Sequence, residues 1–286
     1  MKTFPECLSC FIRQSIQAAK FAGRPEKEQK EIVDKIEKYL KNINLEDTPP
    51  KISRNMHILI KKILKNEDPY KIIKDKYNNI ALSMYEDLKE RVKKSEDKFE
   101  TALRIAIAGN IIDFGAQVEF ELEQDMHEVL TKNFAIFHFK ELKEKLSKEK
   151  EILYLGDNTG ETVFDRVFME EIKSGYGSEI TYAVKEKPII NDATREDAVF
   201  AGIDKVARIV STGCDSPGIV PEYCSSDFLK LYKNAKVVVA KGQGNFEALE
   251  QEKRPIFFLF KVKCNVVAGY LGVPKESIIL YNNVRY

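Results

Sequence analysis

Between Pro5 and about Lys150, apolar residues recur mostly at helical spacing, as at Ile32, Ile36 and Leu40 and again around Ile58, Ile63 and Leu64. That spacing lines one face of an α-helix. Charged residues fill the gaps, and Pro25, Pro49, Pro50 and Pro69 punctuate the run. The pattern predicts several helices, among them 99–107 and a heavily charged one over 140–148. The Lys and Glu of the latter read as a solvated face laced with i,i+4 pairs. From Glu151 the pattern changes. Near-continuous apolar runs at 152–155, 180–184, 207–210, 237–240, 256–260 and 278–281 alternate with helical stretches at 162–174, 193–200, 225–232 and 244–251. Runs without polar alternation mark strands covered on both faces. The expected fold class is therefore α/β: a Rossmann-like parallel sheet wrapped by helices, preceded by an all-helical N-terminal region. The expected division is a helical region over 1–149, with room for two small subdomains, and an α/β domain over 150–286.

Composition narrows the function. With 43% hydrophobic and 32% charged residues in 286, the chain can bury a core and is not a disordered segment. Its 46 Lys+Arg nearly cancel 45 Asp+Glu, for a formal net charge of +1. No global basic field argues for nucleic acid or an anionic membrane as partner. The longest apolar runs fall far short of the ~20 residues of a membrane span, and the start lacks the pattern of a signal peptide. Five Cys is an odd number, which suits a reducing cytosol and a cytoplasmic location better than a disulfide scaffold.

The polar clusters fall at strand ends. Gly156-Asp157-Asn158-Thr159-Gly160-Glu161 follows the first predicted strand, Asn191-Asp192-Ala193-Thr194 the second and Ser211-Thr212-Gly213-Cys214-Asp215 the third. Lys241-Gly242-Gln243-Gly244-Asn245 and Lys261-Val262-Lys263-Cys264 end the next two. In an open parallel sheet, ligands bind at the carboxyl edge, so these clusters predict one shared crevice. Asp157, Asn158 and Asp192 offer hard oxygen ligands suited to Mg²⁺ or Mn²⁺, with Co²⁺ or Ni²⁺ as substitutes. The alternative is that the two Asp cap the helices that follow. Lys241, ahead of a glycine-rich turn into a helix, is either part of an anion site for phosphate or a Lys ion-paired at the sheet edge. Gly109-Asn110-Ile111-Ile112-Asp113 sets polar groups in an apolar helix, and the expectation is that it roofs the crevice. Cys7-x-x-Cys10 supplies half of a zinc site, with Cys264 a candidate third thiolate; the alternative is separate buried thiols. His57, His127 and His138 lie in no catalytic context, and no Ser or Cys sits in a nucleophile elbow.

Together these motifs resemble the metal-dependent damage-control phosphatase family, formerly a domain of unknown function and related to the so-called acidic-residue methyltransferases. The resemblance runs from Cys7-x-x-Cys10 through Pro49-Pro50, Gly109-Asn110-x-x-Asp113, Gly156-Asp157-Asn158-x-Gly160-Glu161 and Asn191-Asp192-x-Thr194. It continues through Thr212-Gly213-x-Asp215-x-Pro217-Gly218, Lys241-Gly242-x-Gly244-Asn245 and Lys263-Cys264. The Cys pair is similar to that of the branch common in archaea. The resemblance implies a divalent metal (Mn, Mg, Co or Ni) on Asp157, Asn158 and Asp192, and hydrolysis of small phosphorylated metabolites such as sugar phosphates or damaged phosphometabolites. It implies catalytic roles for Asp157, Asp192 and Lys241. It also implies substrate contacts from Asn110, Asp113, Glu161, Asp215, Lys241, Gly242 and Asn245. Two other readings compete. In an S-adenosylmethionine-dependent carboxyl methyltransferase, Gly156 to Gly160 would lie under the cofactor and Glu186 would hold its ribose. In a non-catalytic metal or metabolite-binding protein, the same pocket would turn nothing over.

Overall fold

The computed structural model describes residues 1–109 and 128–284, so Asn110, Asp113 and His127 lie outside the described residues. Three helices come first: α1 (Cys7–Phe21), α2 (Glu26–Leu40) and α3 (Pro49–Leu64). Pro49 and Pro50 open α3, where a helix has no use for their missing N–H groups. The apolar faces of the three close on one another around Phe11, Ala18, Ile32, Ile36, Met56 and Ile60. The next three, α4 (Lys71–Ser83), α5 (Tyr85–Lys94) and α6 (Lys98–Ala108), bury their apolar faces in a core shared with the sheet. Asp97 starts α6 by accepting the Glu100 N–H at 2.9 Å.

The rest of the chain alternates strand and helix. It runs β1 (Ile136–Phe137), α7 (Phe139–Lys148), β2 (Glu151–Leu155), α8 (Glu161–Tyr176), β3 (Glu179–Val184), α9 (Arg195–Phe200) and β4 (Arg208–Ser211). Then come α10 (Ser226–Asn234), β5 (Val237–Lys241), α11 (Gly242–Leu249), β6 (Phe257–Lys261), α12 (Asn265–Leu271) and β7 (Ile278–Asn282). One seven-stranded sheet has the order β1-β7-β6-β5-β2-β3-β4. The five strands from β6 to β4 are parallel, as the α/β reading expects. At the other edge β7 runs antiparallel to β6, and β1 runs parallel to β7, so the sheet is mixed. Apolar runs report burial on both faces and carry no strand direction, which is why this edge was not anticipated. The two residues of β1 are too few to show a period at all.

Strand parity divides the core. Ile152, Tyr154, Val237, Val239, Phe257 and Leu259 face a core shared with α4–α8. Leu153, Leu155, Val238, Ala240, Phe258 and Phe260 face Phe228, Phe246 and Val267 of α10–α12. The chain builds β2, β3 and β4 outward, then crosses back to place β5 beside β2. Strand order therefore reverses between β2 and β5, which is where an open α/β sheet offers a crevice. Among the described residues no helix is long and apolar enough to cross a membrane.

His57 is 1% exposed within α3, and its Nε2 has no hydrogen-bond partner among the described residues. Burial, with a smaller contribution from Lys61, lowers its pKa from 6.5 to about 3. The unfolded chain therefore takes up this proton first. Stability is full above the ordinary histidine pKa and falls on acidification below it, by up to ~1.4 kcal/mol per pH unit. Urea unfolding at pH 7 and pH 5 should show a smaller acid loss in His57→Leu than in the wild type. Equal losses would show that His57 is not the source.

Candidate active site

The loops after β2 and β3 are zipped together by backbone hydrogen bonds. The Ala193 N–H donates to the Asp157 carbonyl at 2.8 Å, and the Thr159 N–H to the Asn191 carbonyl at 2.8 Å. Asn158 and Asp192 form an isolated antiparallel bridge pair as a result. The switch point therefore brings together Asp157, Asn158 and Asp192, which lie far apart in sequence. Neither Asp caps a helix. Gly160, at φ 80°, precedes α8 without a side-chain cap, while Thr194 and Asp197 form a reciprocal capping box at the start of α9. Gly160 is itself pinned from the helical region, its N–H donating to Asn78 Oδ1 at 3.1 Å. Gly242, at φ +79°, lies so close beneath Asp157 that a Cβ there would fall 1.8 Å from Oδ2. Only glycine admits that carboxylate over the start of α11.

Asp157 and Asp192 are 8% and 3% exposed. Burial holds the Asp157 carboxyl well above the usual carboxylate range, and the negative charges of Asp192 and Glu161 push it further. Burial likewise pushes Asp192 up to about 6, against the pull of Lys185. Lys185 Nζ lies 3.5 Å from Asp192 Oδ2, and neither atom has a well-formed hydrogen bond among the described residues. The Asn158 Nδ2 donates to Asp157 Oδ2 at 2.8 Å and to Glu161 Oε2 at 3.1 Å. Among the described residues no three His, Cys, Asp or Glu side chains close around a metal; the trio reaches three donors only through the Asn158 amide. Two buried carboxylates, an orphaned Oδ2 and a neutral amide oxygen fit a hard divalent cation with water completing its shell.

Lys241 faces the other way. It shares strand parity with Val237 and Val239, so its side chain enters the core on the α6–α8 side with 0% exposure. Its Nζ donates to Asp165 Oδ1 at 2.6 Å, to the Ala106 carbonyl at 2.7 Å and to Glu161 Oε1. Burial works against the ammonium, but Asp165 and Glu161 outweigh it and keep its pKa above the ordinary lysine value. Tyr154 and Tyr182 hydroxyls donate to the two Asp165 oxygens at 2.7 and 2.9 Å. Asn245, fully buried, clamps the same strand end: its Nδ2 donates to the Lys241 carbonyl at 2.7 Å, and its Oδ1 accepts the Ile219 N–H at 2.8 Å. Asp215 sits apart, ion-paired with Arg54.

Above the trio lies a cavity of about 670 Å³. Asp157, Asn158 and Asp192 line it from below, Arg13, Gln14 and Gln17 of α1 from above, and Lys263 and Lys275 at the side. Lys263 is exposed, and its charge acts on Asp157. Glu161, Lys241, Gly242, Asn245 and Asp215 do not line this cavity. Cys7, Cys10 and Cys264 all do, with Glu247. Burial first, and then the neighbouring Glu247, pushes the Cys7 thiol up to about 11. Two partners were not anticipated. Asp165 is signalled by its i,i+4 spacing from Glu161 on one helix, and Lys185 by its place directly after an apolar strand.

A sheet with its reversal point beneath an oxygen-donor trio, and a cavity rimmed by cations, defines an α/β enzyme of small charged molecules. Residues 3–279 match the damage-control phosphatase ARMT1-like domain, and the chain belongs to that family. It is 35% identical to damage-control phosphatase PH1575 of Pyrococcus horikoshii, covering 99% of each chain. It is 34% identical to a damage-control phosphatase of Archaeoglobus fulgidus over 96% of each, and 39% identical to an uncharacterised protein of Methanocaldococcus jannaschii over 98% of this chain and 95% of the other. The crystal structure of the Pyrococcus protein, described as a DUF89 family protein, superposes with a TM-score of 0.91 over 99% of this chain and 100% of that one.

Removing Lys241 should leave Glu161 and Asp165 buried without their cation. Lys241→Met is expected to lower unfolding stability by ~3–5 kcal/mol in urea titration. A loss below ~1 kcal/mol would mean that the cluster is not an ion pair in solution.

Proposed function

We propose that the chain is a metal-dependent phosphomonoester hydrolase acting on small phosphorylated metabolites, with a divalent cation held by Asp157, Asn158 and Asp192. The observation that carries this reading is the pair of buried carboxylates at the switch point, each raised in pKa and one with an orphaned oxygen, facing a cavity of small-molecule size. The names of the Pyrococcus and Archaeoglobus relatives support it. Mn²⁺, Mg²⁺, Co²⁺ and Ni²⁺ all accept these donors, and any of them supplies charge neutralisation for phosphate oxygens and a more acidic water.

The chain's own groups divide the remaining work. Lys263, exposed at the rim, is the cation that meets the phosphate from the open side. Lys241 acts as a positioning residue: it fixes Glu161, whose Oε2 accepts the Asn158 amide and so orients the trio. Lys185 balances Asp192. Arg13, Gln14 and Gln17 face the part of the substrate remote from phosphate. Burial of Asp157 and Asp192 shields their carboxylates from bulk water, which strengthens the charge interactions at the floor of the cavity.

The methyltransferase reading loses its support in the glycine-rich turn. A Cβ on Gly156 would fall 2.5 Å from the Tyr182 hydroxyl, and one on Gly160 3.3 Å from the Tyr77 carbonyl. These glycines make room for the protein itself. Glu186, the candidate ribose ligand, accepts a hydrogen bond from the Ser211 hydroxyl.

Purified protein should hydrolyse p-nitrophenyl phosphate or small sugar phosphates, lose that activity in EDTA and regain it with Mn²⁺, Co²⁺, Ni²⁺ or Mg²⁺. Asp157→Asn and Asp192→Asn should each lower kcat by ~10²-fold or more, and Lys263→Ala should raise KM by about tenfold while metal binding persists. Turnover indifferent to chelation would refute the metal; silence across a broad phosphate-ester panel would refute the hydrolase.

A further inference from the structure

A second cavity, of about 590 Å³, lies at the opposite edge of the sheet, where Lys236 leads into β5 and Pro255 into β6. Five cations line it, Lys145, Lys233, Lys236, Lys253 and Arg254, against the single carboxylate of Glu252. That ratio stands out in a chain whose formal net charge is only +1. Arg254 has a structural task. Its guanidinium donates to the Tyr232 and Ala235 carbonyls at the end of α10 and stacks on the Tyr232 ring, 4.8 Å from its centroid. The four lysines have none. Among the described residues none of them pairs with a carboxylate or a ring, whereas lysines elsewhere do, as Lys51 with Asp47 and Glu222 or Lys261 with Glu276.

The wall of the cavity is unsatisfied as well. Tyr232 is 4% exposed, and its hydroxyl has no hydrogen-bond partner among the described residues; the same is true of Arg254 Nε. Burial first, then Glu252, holds the phenol pKa above its ordinary value, so the hydroxyl remains a donor at neutral pH. A buried donor left unpaired costs ~1–3 kcal/mol. What the site lacks is a compact acceptor with several anionic oxygens.

We propose that this cavity binds the phosphoryl group of a small anionic metabolite, at a site separate from the catalytic one. A phosphoryl group offers oxygens to the Tyr232 hydroxyl and the Arg254 Nε–H while the lysines neutralise its charge. The volume lies within the ~300–1,000 Å³ of small-molecule sites. A macromolecular polyanion would need an extended basic face, and here the cations converge on one hollow. The two cavities share no lining residue. The length of β5 separates their edges of the sheet, about 16 Å at ~3.3 Å per residue. The site does not depend on the catalytic reading.

The test uses inorganic pyrophosphate as probe, in equilibrium dialysis against the full chain with EDTA present, so that no cation occupies the oxygen trio. Wild type should bind saturably. Lys233→Glu combined with Lys253→Glu, both exposed positions, should weaken binding by about tenfold or more. Tyr232→Phe should weaken binding severalfold and leave the unfolding midpoint unchanged, because the hydroxyl has no internal partner to lose. Lys263→Glu, at the catalytic rim, should leave this binding intact. Failure of the wild type to bind overturns the proposal. So does undiminished binding by the double variant, loss of binding in Lys263→Glu, or a Tyr232→Phe protein that binds normally and unfolds more easily.

Discussion

The buried ammonium of Lys241 is the constraint from which the architecture of the site follows. A cation with no exposure must find its counter-charges inside the protein, since an isolated buried ion costs several kcal/mol even after relaxation. Its partners come from two helices: Glu161 and Asp165 from α8, and the Ala106 carbonyl from α6. Two strands join through Tyr154 and Tyr182, whose hydroxyls complete the Asp165 carboxylate. The cluster therefore fixes how α6 and α8 lie against the sheet. Glu161 passes that placement to Asn158 at the sheet edge. Asp157, Asn158 and Asp192 are thus tied to the buried salt bridge through the contact of the Asn158 amide with Glu161.

The two faces of this edge handle charge in opposite ways. Below, every group in the Lys241 cluster has a partner at hydrogen-bonding distance, which is how a buried polar network becomes rigid. Above, Asp157 and Asp192 repel each other, and Lys185 reaches Asp192 without a good hydrogen bond. A fold that satisfies its interior groups elsewhere and leaves these raised in pKa marks where a ligand completes the electrostatics. Gly242 shows the same logic sterically. Its missing side chain is the volume that the Asp157 carboxylate occupies.

Much of this was legible in the residues, and the exceptions have physical reasons. Five parallel strands and their helices follow from apolar runs and helical periods. The gathering of Asp157, Asn158 and Asp192 follows from their places after adjacent strands. The direction of β7 and the presence of β1 do not, because apolarity carries no polarity of chain and two residues carry no period. Lys241 is the instructive case. Read by its position at a strand end, it belongs to the crevice; read by parity with Val237 and Val239, it belongs to the opposite core. Side chains alternate strictly along a strand, so the second reading was available. Glu161 and Asp165, four apart on a helix whose neighbours are apolar, point to the same buried cation. The capping alternative for the two Asp required the structure, since Thr194 with Asp197 had to be seen doing that work.

The three opening helices build most of a hydrophobic core of their own, which Tyr70 joins and which meets the core over the sheet at Ile73 of α4. Their ties to the sheet domain include charged and polar ones: Arg54 with Asp215, Lys51 with Glu222, and Lys61 with the Pro188 carbonyl. Separate cores of this kind are where a chain can open locally at a free energy below that of global unfolding. Because α1 forms the upper wall of the cavity over Asp157, Asn158 and Asp192, any opening that bares the α1 amides to hydrogen exchange also widens the way into that cavity.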